Sequence, residues 1–514
     1  QWFISMDKKP VGYSKSLREM AIDGIKSTKF YPAWGKKRLE SMISNRPDWT
    51  ISRQRQWGVP LPFFVNNETG DLHPETSNLL NKIAVLVNKS GIEAWQKSKT
   101  ESLIGKKDSE RFSKSKDTLD VWFDSGATHH TVIKSSHRKV LKFPADLYLE
   151  GSDQHRGWFH SSLLSSCIEN GIPPYRSILT HGFVVDGDGK KMSKSIGNVI
   201  SPQKICDSLG ADILRLWVAS SDYSRELNIS KVILDRVVES YRRIRNTLAF
   251  LMANLKGFDY NADLIKKESL YEIDKYILIT MNNLQNDIKK DFDDFNFHSA
   301  ISKIIKFCSE DLGGFYLDVL KDRLYVNPEK SLSRRSAQTG LWHLSNCLLR
   351  LLYPTISFTA YEAWEVFVSQ TNYNDKKTLF SHVFYDFPIF HNQEQIASNW
   401  EKLRKIRSQV VKSLEQARTM GKIGSSLEAS VKIFCNNKNY NFLKVYSKEL
   451  KYIFIVSNTE ISSENIDDND KFEIEVSKFN SKKCARCWHR CSTVGDFPDH
   501  IHLCKRCNEF ISDF

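Results

Sequence analysis

The sequence predicts a multidomain fold: an α/β region, an α-helical bundle, a small mixed region and a cysteine-rich end. Three observations predict it. Strand-like and helix-like segments alternate up to about residue 195, as they do in an open α/β sheet. From about residue 202 the apolar residues recur at helical spacing. Finally, half of the ten cysteines lie between residues 484 and 507.

Length and composition set the limits of this prediction. At about 150 residues per domain, 514 residues correspond to roughly three or four domains. The chain is 40% hydrophobic and 12% aromatic, which excludes a disordered or collagen-like protein, and it has no long apolar run that could span a membrane. Its net charge of +13 suits a phosphate-rich partner, although solubility alone would also explain it.

The α/β region is predicted over residues 1–230. Short strands are expected at 49–53, 146–150 and 177–185, and a helix at 154–169. A polar, lysine-rich insertion occupies about 65–116 and carries one weakly amphipathic helix at 79–87.

The helical bundle is predicted over residues 231–420. Ser201 and Pro202 form a helix start signal ahead of it. One apolar stripe runs through 237–255 and stops at Gly257, and a last stripe runs through 403–417. A small mixed domain is then expected at 421–480, with strands at 431–434 and 452–456.

The cysteine-rich end, residues 481–514, contains two C-x-x-C pairs, Cys484 with Cys487 and Cys504 with Cys507. Two such pairs supply four thiolates to one tetrahedral ion and leave no open position, which predicts a structural Zn²⁺ site. A redox pair or unbound thiols is the alternative. Cys491 breaks the paired spacing and is left out of the predicted ligand set.

Basic residues and one tryptophan lie within and beside the cysteine pairs. These suggest a ribbon that touches RNA, with a merely solvated basic surface as the alternative. The residues are Arg486, Arg490, Lys505, Arg506 and Trp488.

Two segments of the α/β region have the composition of a nucleotide site. Residues 189–195 (Gly-Lys-Lys-Met-Ser-Lys-Ser) place three lysines and two hydroxyls after a tight turn, and lysines there can balance charge on a polyphosphate. Residues 150–159 lie where a predicted strand meets a predicted helix, which is the edge where open α/β sheets bind ligands. The alternative is that Ser152 and Asp153 only cap the helix.

The string Lys-Met-Ser-Lys-Ser at 191–195 is the signature loop of class I aminoacyl-tRNA synthetases. The whole chain resembles the bacterial isoleucyl-tRNA synthetase family, since matching segments follow in the same order from end to end. These segments are 47–60, 117–126, 150–159, 180–186, 210–218, 240–246 and the four-cysteine ribbon. The resemblance implies a Rossmann-like catalytic domain, an anticodon-binding helical bundle, a junction domain and a zinc ribbon.

The resemblance also implies roles for individual residues. Glu150 would bind the α-amino group of isoleucine, while Gly151, Asp153 and Gln154 would surround the adenylate. Trp122 and Trp158 would form the walls of the amino-acid pocket. The catalytic lysines would be Lys191 and Lys194, with Lys194 favoured for the transition state. The remaining implied ATP-binding residues are Met192, Ser193, Ser195 and His181, although His181 could equally be a buried structural histidine.

Implied partners are tRNA(Ile), L-isoleucine and ATP with Mg²⁺. Arg242, Arg243 and Arg245 would contact the tRNA backbone, unless they only pair with neighbouring acids. The scattered single cysteines and the absence of a secretory signal favour a cytoplasmic protein, and the family implies a monomer.

Two expected features are absent from the printed sequence. It contains no His-x-Gly-His element, and no Thr-rich editing pocket is visible. Because the chain also begins with Gln1, we expect a C-terminal fragment that lacks the N-terminal half and does not form adenylate unaided. The alternatives are a valyl or other class I synthetase, or a non-catalytic tRNA-binding protein derived from a synthetase. Valyl enzymes typically end in a coiled coil rather than a four-cysteine ribbon.

Overall fold

The computed structural model describes residues 1–55, 57–373, 377–464 and 472–512. Its chain divides into two compact units. The first comprises Gln1–Gly197 with Asp222–Asn228, and the second comprises Asn198–Ser221 with Ile229–Phe514. No described helix combines the length and the apolar character that crossing a bilayer requires.

The first unit is an α/β arrangement of short strands and helices. The strands are β1 (Phe3–Ile4), β2 (Lys29–Tyr31), β3 (Trp49–Thr50), β4 (Ser52–Arg53), β5 (Phe64–Asn66), β6 (Phe112–Lys114), β7 (Thr118–Leu119), β8 (Tyr148–Gly151), β9 (Ser177–His181), β10 (Val184–Val185) and β11 (Leu227–Asn228). The helices are α1 (Leu17–Ser27), α2 (Trp34–Ser44), α3 (Thr76–Ser90), α4 (Glu93–Lys97), α5 (Thr100–Ile104), α6 (Lys106–Ser109), α7 (Val121–Gly126) and α8 (Trp158–Asn170).

A parallel three-stranded sheet, in the order β2-β9-β8, lies at the centre of this unit. The helices α1, α2 and α8 contribute Leu17, Leu39 and Leu163 to the apolar core around it. Helix α1 begins at a capping box, in which the Ser16 hydroxyl accepts from the Glu19 amide and the Glu19 carboxylate accepts from the Ser16 amide. The parallel sheet agrees with the predicted open α/β architecture.

The lysine-rich insertion forms a small substructure with its own core. Strands β5 and β6 pair antiparallel, and Phe64 packs with Leu79, Ile83, Trp95 and Phe112. The predicted helix at 79–87 is confirmed as part of the longer α3.

The second unit is mainly helical. Its helices are α9 (Pro202–Leu209), α10 (Ala211–Ser220), α11 (Lys231–Asn254), α12 (Tyr260–Asp263), α13 (Glu272–Asp293), α14 (Phe297–Lys306), α15 (Leu317–Tyr325), α16 (Leu332–Leu352), α17 (Ser357–Thr371), α18 (Gln393–Thr419), α19 (Asn437–Val445), α20 (Leu450–Ile453) and α21 (Lys505–Ser512). A π-helical segment, Phe307–Tyr316, joins α14 to α15.

Both predicted apolar stripes are confirmed. Along α11, Val237, Ile244, Leu248 and Leu251 are buried, and the helix ends shortly before Gly257. Along α18 the buried residues are Trp400, Leu403, Ile406, Val410, Leu414 and Ala417. The boundaries at 230, 420 and 480 stay predictions, and α9 and α10 pack with the second unit.

A three-stranded mixed sheet follows the bundle, in the order β13 (Asn458–Ser463), β12 (Ala429–Cys435), β14 (Glu473–Lys478). The predicted strand at 431–434 lies within β12, but the predicted strand at 452–456 is wrong. That segment completes α20 and then turns at Ile455, which has a φ of 57°. Its residues Ile453, Phe454 and Val456 are buried, so an apolar run that could be strand or helix packs here as the end of a short helix.

Candidate active site and cysteine cluster

The carboxyl ends of β8 and β9 lie side by side and carry several of the predicted site residues. Glu150 is paired in register with Thr180, and Gly151 with His181. The Glu150 side chain is exposed, and its Oε2 accepts a hydrogen bond from the Gly151 amide at 3.3 Å. This is the sheet edge at which open parallel sheets bind ligands.

The segment after β8 folds tightly against the end of β9. A Cβ placed on Gly151 would lie 2.7 Å from Asp153 Oδ1 and 3.6 Å from His181 Cε1. Gln154 Nε2 donates to Asp153 Oδ2 at 2.8 Å. The structure therefore brings Gly151, Asp153, Gln154 and His181 together.

The start of α8 is capped by Gln154, whose Oε1 accepts from the Trp158 amide at 3.0 Å. The predicted helix start at residue 154 is therefore wrong, because Ser152–His155 forms a 3-10 turn and α8 begins at Trp158. Neither Ser152 nor Asp153 provides a side-chain cap for α8.

Both predicted pocket tryptophans are next to Gly157, since Trp158 follows it in the chain and the Trp122 ring packs against it. Trp158 stacks on Tyr148, with ring centroids 4.0 Å apart and planes at 5°, and its Nε1 donates to the Ser125 carbonyl at 3.0 Å. Trp122 is 40% exposed, and its six-membered ring lies against Gly157. Gln154 thus binds the Trp158 backbone amide, and its Oε1 lies close to Gly157, as the Trp122 ring does.

Sequence reasoning missed the residues that fix the backbone at Trp122. Asp120 caps α7 by accepting from the Trp122 amide, and it also accepts from Trp49 Nε1 at 3.2 Å. Arg53 completes the group with an ion pair to Asp120 at 3.2 Å. An Asp directly before a helical segment was the available signal, since Asp is a preferred N-cap.

A second missed residue is His155, the last residue of the 3-10 turn. Its Nδ1 donates to the Ser152 carbonyl at 3.0 Å, and its ring lies 5.5 Å from that of Trp34. Burial lowers the pKa of His155, which keeps the imidazole neutral at pH 7. Nothing in the sequence distinguished it from a surface histidine.

The lysine-rich loop follows β10. Asp186 Oδ1 accepts from the amides of Asp188 and Lys190, which shapes the turn before the loop. Lys194 is exposed, and Lys191 Nζ lies 5.9 Å from the centroid of the Phe183 ring. The hydroxyls of Ser193 and Ser195 are 3.1 Å apart, and Met192 is half-buried.

The predicted tRNA-binding arginines lie on α11. Arg242 pairs with Glu239 at 2.7 Å, both side chains being exposed. Arg243 and Arg245 are also exposed, and they form no ion pair with any residue that the structure describes. The alternative reading, pairing with neighbouring acids, therefore applies to Arg242 alone.

The four predicted ligand cysteines come together near the carboxyl end of the described chain. Cys484, Cys487, Cys504 and Cys507 are buried, and their Sγ atoms all lie within 4.8 Å of one another. The sulfurs of Cys487 and Cys504 are 3.8 Å apart, about the S–S separation of a tetrahedral site with Zn–S bonds near 2.3 Å. The residues present therefore fit a zinc ion, and Cys491 is not part of the set.

Most of the basic residues of the ribbon bind the protein itself. Arg506 forms two hydrogen bonds with Asp322, at 2.7 and 2.8 Å, and Arg490 donates to Glu428 at 2.7 Å. Arg486 donates to the Val326 carbonyl at 2.8 Å. These guanidinium groups are thus engaged within the chain, and the expectation that they touch RNA stays a prediction.

The two remaining residues of the set expected to touch RNA are accessible to solvent. Lys505 is exposed, and Trp488 is 60% exposed with Lys483 Nζ 5.2 Å from its ring centroid.

Comparison with known proteins assigns this architecture. Residues 1–230 match the family described as tRNA synthetases class I (I, L, M and V), and residues 274–433 match the anticodon-binding domain of tRNA ligase. Together with the parallel sheet and the helical bundle, these matches show that the chain belongs to the class I aminoacyl-tRNA synthetases.

Within that class, the chain is a homologue of isoleucine–tRNA ligases. It is 52% identical over 99% of its length to the isoleucine–tRNA ligase of Paraburkholderia phytofirmans, of which it covers 53%. It is also 52% identical over 99% of its length to that of Bordetella parapertussis, of which it covers 54%. The chain thus spans about half the length of these curated relatives.

Proposed function

We propose that the protein to which this chain belongs activates L-isoleucine with ATP and transfers it to tRNA(Ile). The observation that carries the proposal is the cluster at the ends of β8 and β9, where Gly151, Asp153, Gln154 and His181 meet beside Trp122 and Trp158. The homologous isoleucine–tRNA ligases support the choice of amino acid.

Activation needs no protein nucleophile. The isoleucine carboxylate attacks the α-phosphate of ATP in line, and pyrophosphate leaves as isoleucyl-adenylate forms. A ribose hydroxyl of the terminal tRNA adenosine then attacks the acyl carbon, and AMP leaves. Glu150 would hold the α-ammonium group, while the indoles of Trp122 and Trp158 would accept the branched side chain. Positioning and charge balance therefore account for the chemistry.

The lysines of the loop would act on the phosphates. Lys191 and Lys194 would offset negative charge that develops on the phosphate oxygens, with Met192, Ser193 and Ser195 shaping the loop around ATP. Mg²⁺ would enter this step as the counter-ion of ATP and is therefore part of that substrate. His181, at the end of β9, would face the nucleotide.

The four cysteines would hold one structural Zn²⁺. A closed set of four thiolates leaves no position for a substrate, so the ion would cross-link the ribbon without catalytic work.

The tRNA would lie along α11, with Arg243 and Arg245 as backbone contacts. We also propose a cytoplasmic location, which the lack of disulfides among the ten cysteines supports, and a monomer, which the resemblance to the family implies.

The test is calorimetric binding of a non-hydrolysable isoleucyl-sulfamoyl adenosine to this chain. We expect binding that Glu150→Gln weakens at least tenfold, whereas Asp146→Asn, a second exposed acid in the same unit, leaves it unchanged. Because the chain contains no His-x-Gly-His element, we expect no isoleucine-dependent ATP–pyrophosphate exchange from it alone. Exchange by the chain would contradict that expectation, and tRNA binding without analogue binding would favour a non-catalytic tRNA-binding protein.

A further inference from the structure

Gly157 lies between two side chains of the proposed ligand site, and there is no room there for a side chain of its own. A Cβ at this position would lie 2.5 Å from Gln154 Oε1, 2.7 Å from Trp122 Cη2 and 2.9 Å from Trp122 Cζ3. All three distances are shorter than real Cβ contacts. Any larger residue at 157 must therefore displace Gln154 and Trp122.

The two indoles beside Gly157 differ in how firmly they are held. Trp158 is fixed by its stack on Tyr148 and by its hydrogen bond to the Ser125 carbonyl. The one hydrogen bond recorded for Trp122 in the described part of the chain is made by its backbone amide. Trp122 is 40% exposed, and its six-membered ring lies directly against Gly157, which therefore limits where the ring can lie.

We propose that Gly157 determines the size of amino-acid side chain that the pocket accepts, through the position of the Trp122 ring. The inference rests on the proposed function, in which Trp122 and Trp158 are the pocket walls. A methyl group at 157 moves the Trp122 ring by about 0.7 Å, from 2.7 Å to the 3.4 Å at which ordinary contacts begin. A wall displaced by that distance loses its fit to isoleucine, whether the pocket widens or narrows.

Gln154 moves as well, but its effect is separable. In the proposed site Gln154 serves the adenylate, which isoleucyl and valyl ligands share. A shift of Gln154 therefore changes both affinities equally, whereas a shift of Trp122 changes their ratio. A single methylene in an apolar pocket changes the affinity by about 10- to 200-fold. This range sets the largest isoleucyl-to-valyl affinity ratio that a change at residue 157 can remove.

The experiment measures the affinity of this chain for isoleucyl- and valyl-sulfamoyl adenosine by calorimetry. We expect Gly157→Ala to lower the isoleucyl-to-valyl affinity ratio at least fivefold. Trp122→Phe removes the ring atoms that meet the methyl group, so Gly157→Ala made in that background should change the ratio less than twofold. Gly424→Ala, at an exposed turn in the other unit, is the matched control and should leave the ratio unchanged.

Each outcome decides the proposal. An unchanged ratio in Gly157→Ala, or an equal loss for both ligands, would overturn it, as would the same effect in the Trp122→Phe background. If Gly157→Ala does not fold, Trp122→Phe is compared with the double variant instead. An isoleucyl-to-valyl affinity ratio that differs more than twofold between these two variants would refute the proposal. If the unsubstituted chain binds neither analogue, the proposed function itself fails and this inference with it.

Discussion

Replacing Asp322 by Asn tests whether the cysteine ribbon is clamped to the helical bundle. The amino acids between the cysteines of each C-x-x-C pair reach the end of α15: Arg506 binds both carboxylate oxygens of Asp322, and Arg486 binds the Val326 carbonyl. Val326 also packs in the apolar cluster formed by the four cysteines. Asp322→Asn keeps the shape but removes the charge that accepts both hydrogen bonds.

The size of the effect follows from the geometry. Breaking a fully buried ion pair costs about 3–5 kcal/mol, and a hydrogen bond to a charged group contributes about 1.5–3 kcal/mol. Because Asp322 and Arg506 keep 15% and 26% of their side chains exposed, water recovers part of this cost. We therefore expect Asp322→Asn to lower the free energy of unfolding by about 2 kcal/mol.

Urea unfolding of the zinc-loaded chain, followed by helical circular dichroism, measures this change. Asp287→Asn, on α13 of the same unit and 57% exposed, is the control and should cost less than about 0.5 kcal/mol. Arg506→Met combined with Asp322→Asn gives the coupling energy of the pair. A loss below about 0.5 kcal/mol for Asp322→Asn, or a coupling near zero, would refute the clamp.

Three further predictions concern other parts of the molecule. Removing zinc with a chelator should speed amide hydrogen exchange in α15 and α21 while leaving α3, in the first unit, unchanged; equal exchange rates with and without metal would count against the cluster as a structural site. Arg243→Glu with Arg245→Glu should weaken tRNA(Ile) binding and reduce its salt slope by about one per lost phosphate contact, whereas Lys330→Glu, an exposed cation elsewhere in the same unit, should leave the slope unchanged. Hydrogen bonds from Arg490 and the Gly424 amide lower the pKa of Glu428 to about 2, so its stabilising contribution is complete above its ordinary pKa of 4.5 and is lost as pH falls towards 2; urea midpoints measured between pH 7 and 3 should fall less in Glu428→Gln than in the unsubstituted chain.

Local patterns were enough to predict the long amphipathic helices but not the contacts of the site. The stripe through Val237 and Leu251 predicts α11 because helical spacing is visible within a few turns of sequence. At 452–456 the pattern failed, because an apolar run of that length fits a strand or a helix equally well. The packing of Trp122 on Gly157 joins segments far apart in the chain, so no spacing rule reveals it.

The positive charge of the chain has to be divided between internal pairing and surfaces open to a phosphate-rich partner. Arg506 and Arg490 each face a carboxylate at hydrogen-bond distance, so each adds little net positive charge to the surface of the ribbon. Arg243 and Arg245 face no carboxylate in the described ranges and are exposed on one helix. An unpaired guanidinium group can bind a phosphate and release its counter-ion without first breaking an ion pair. Phosphate binding there therefore costs less free energy than phosphate binding at Arg506 or Arg490. A phosphate backbone is therefore expected to bind along α11, while the arginines between the cysteines hold the ribbon to the bundle.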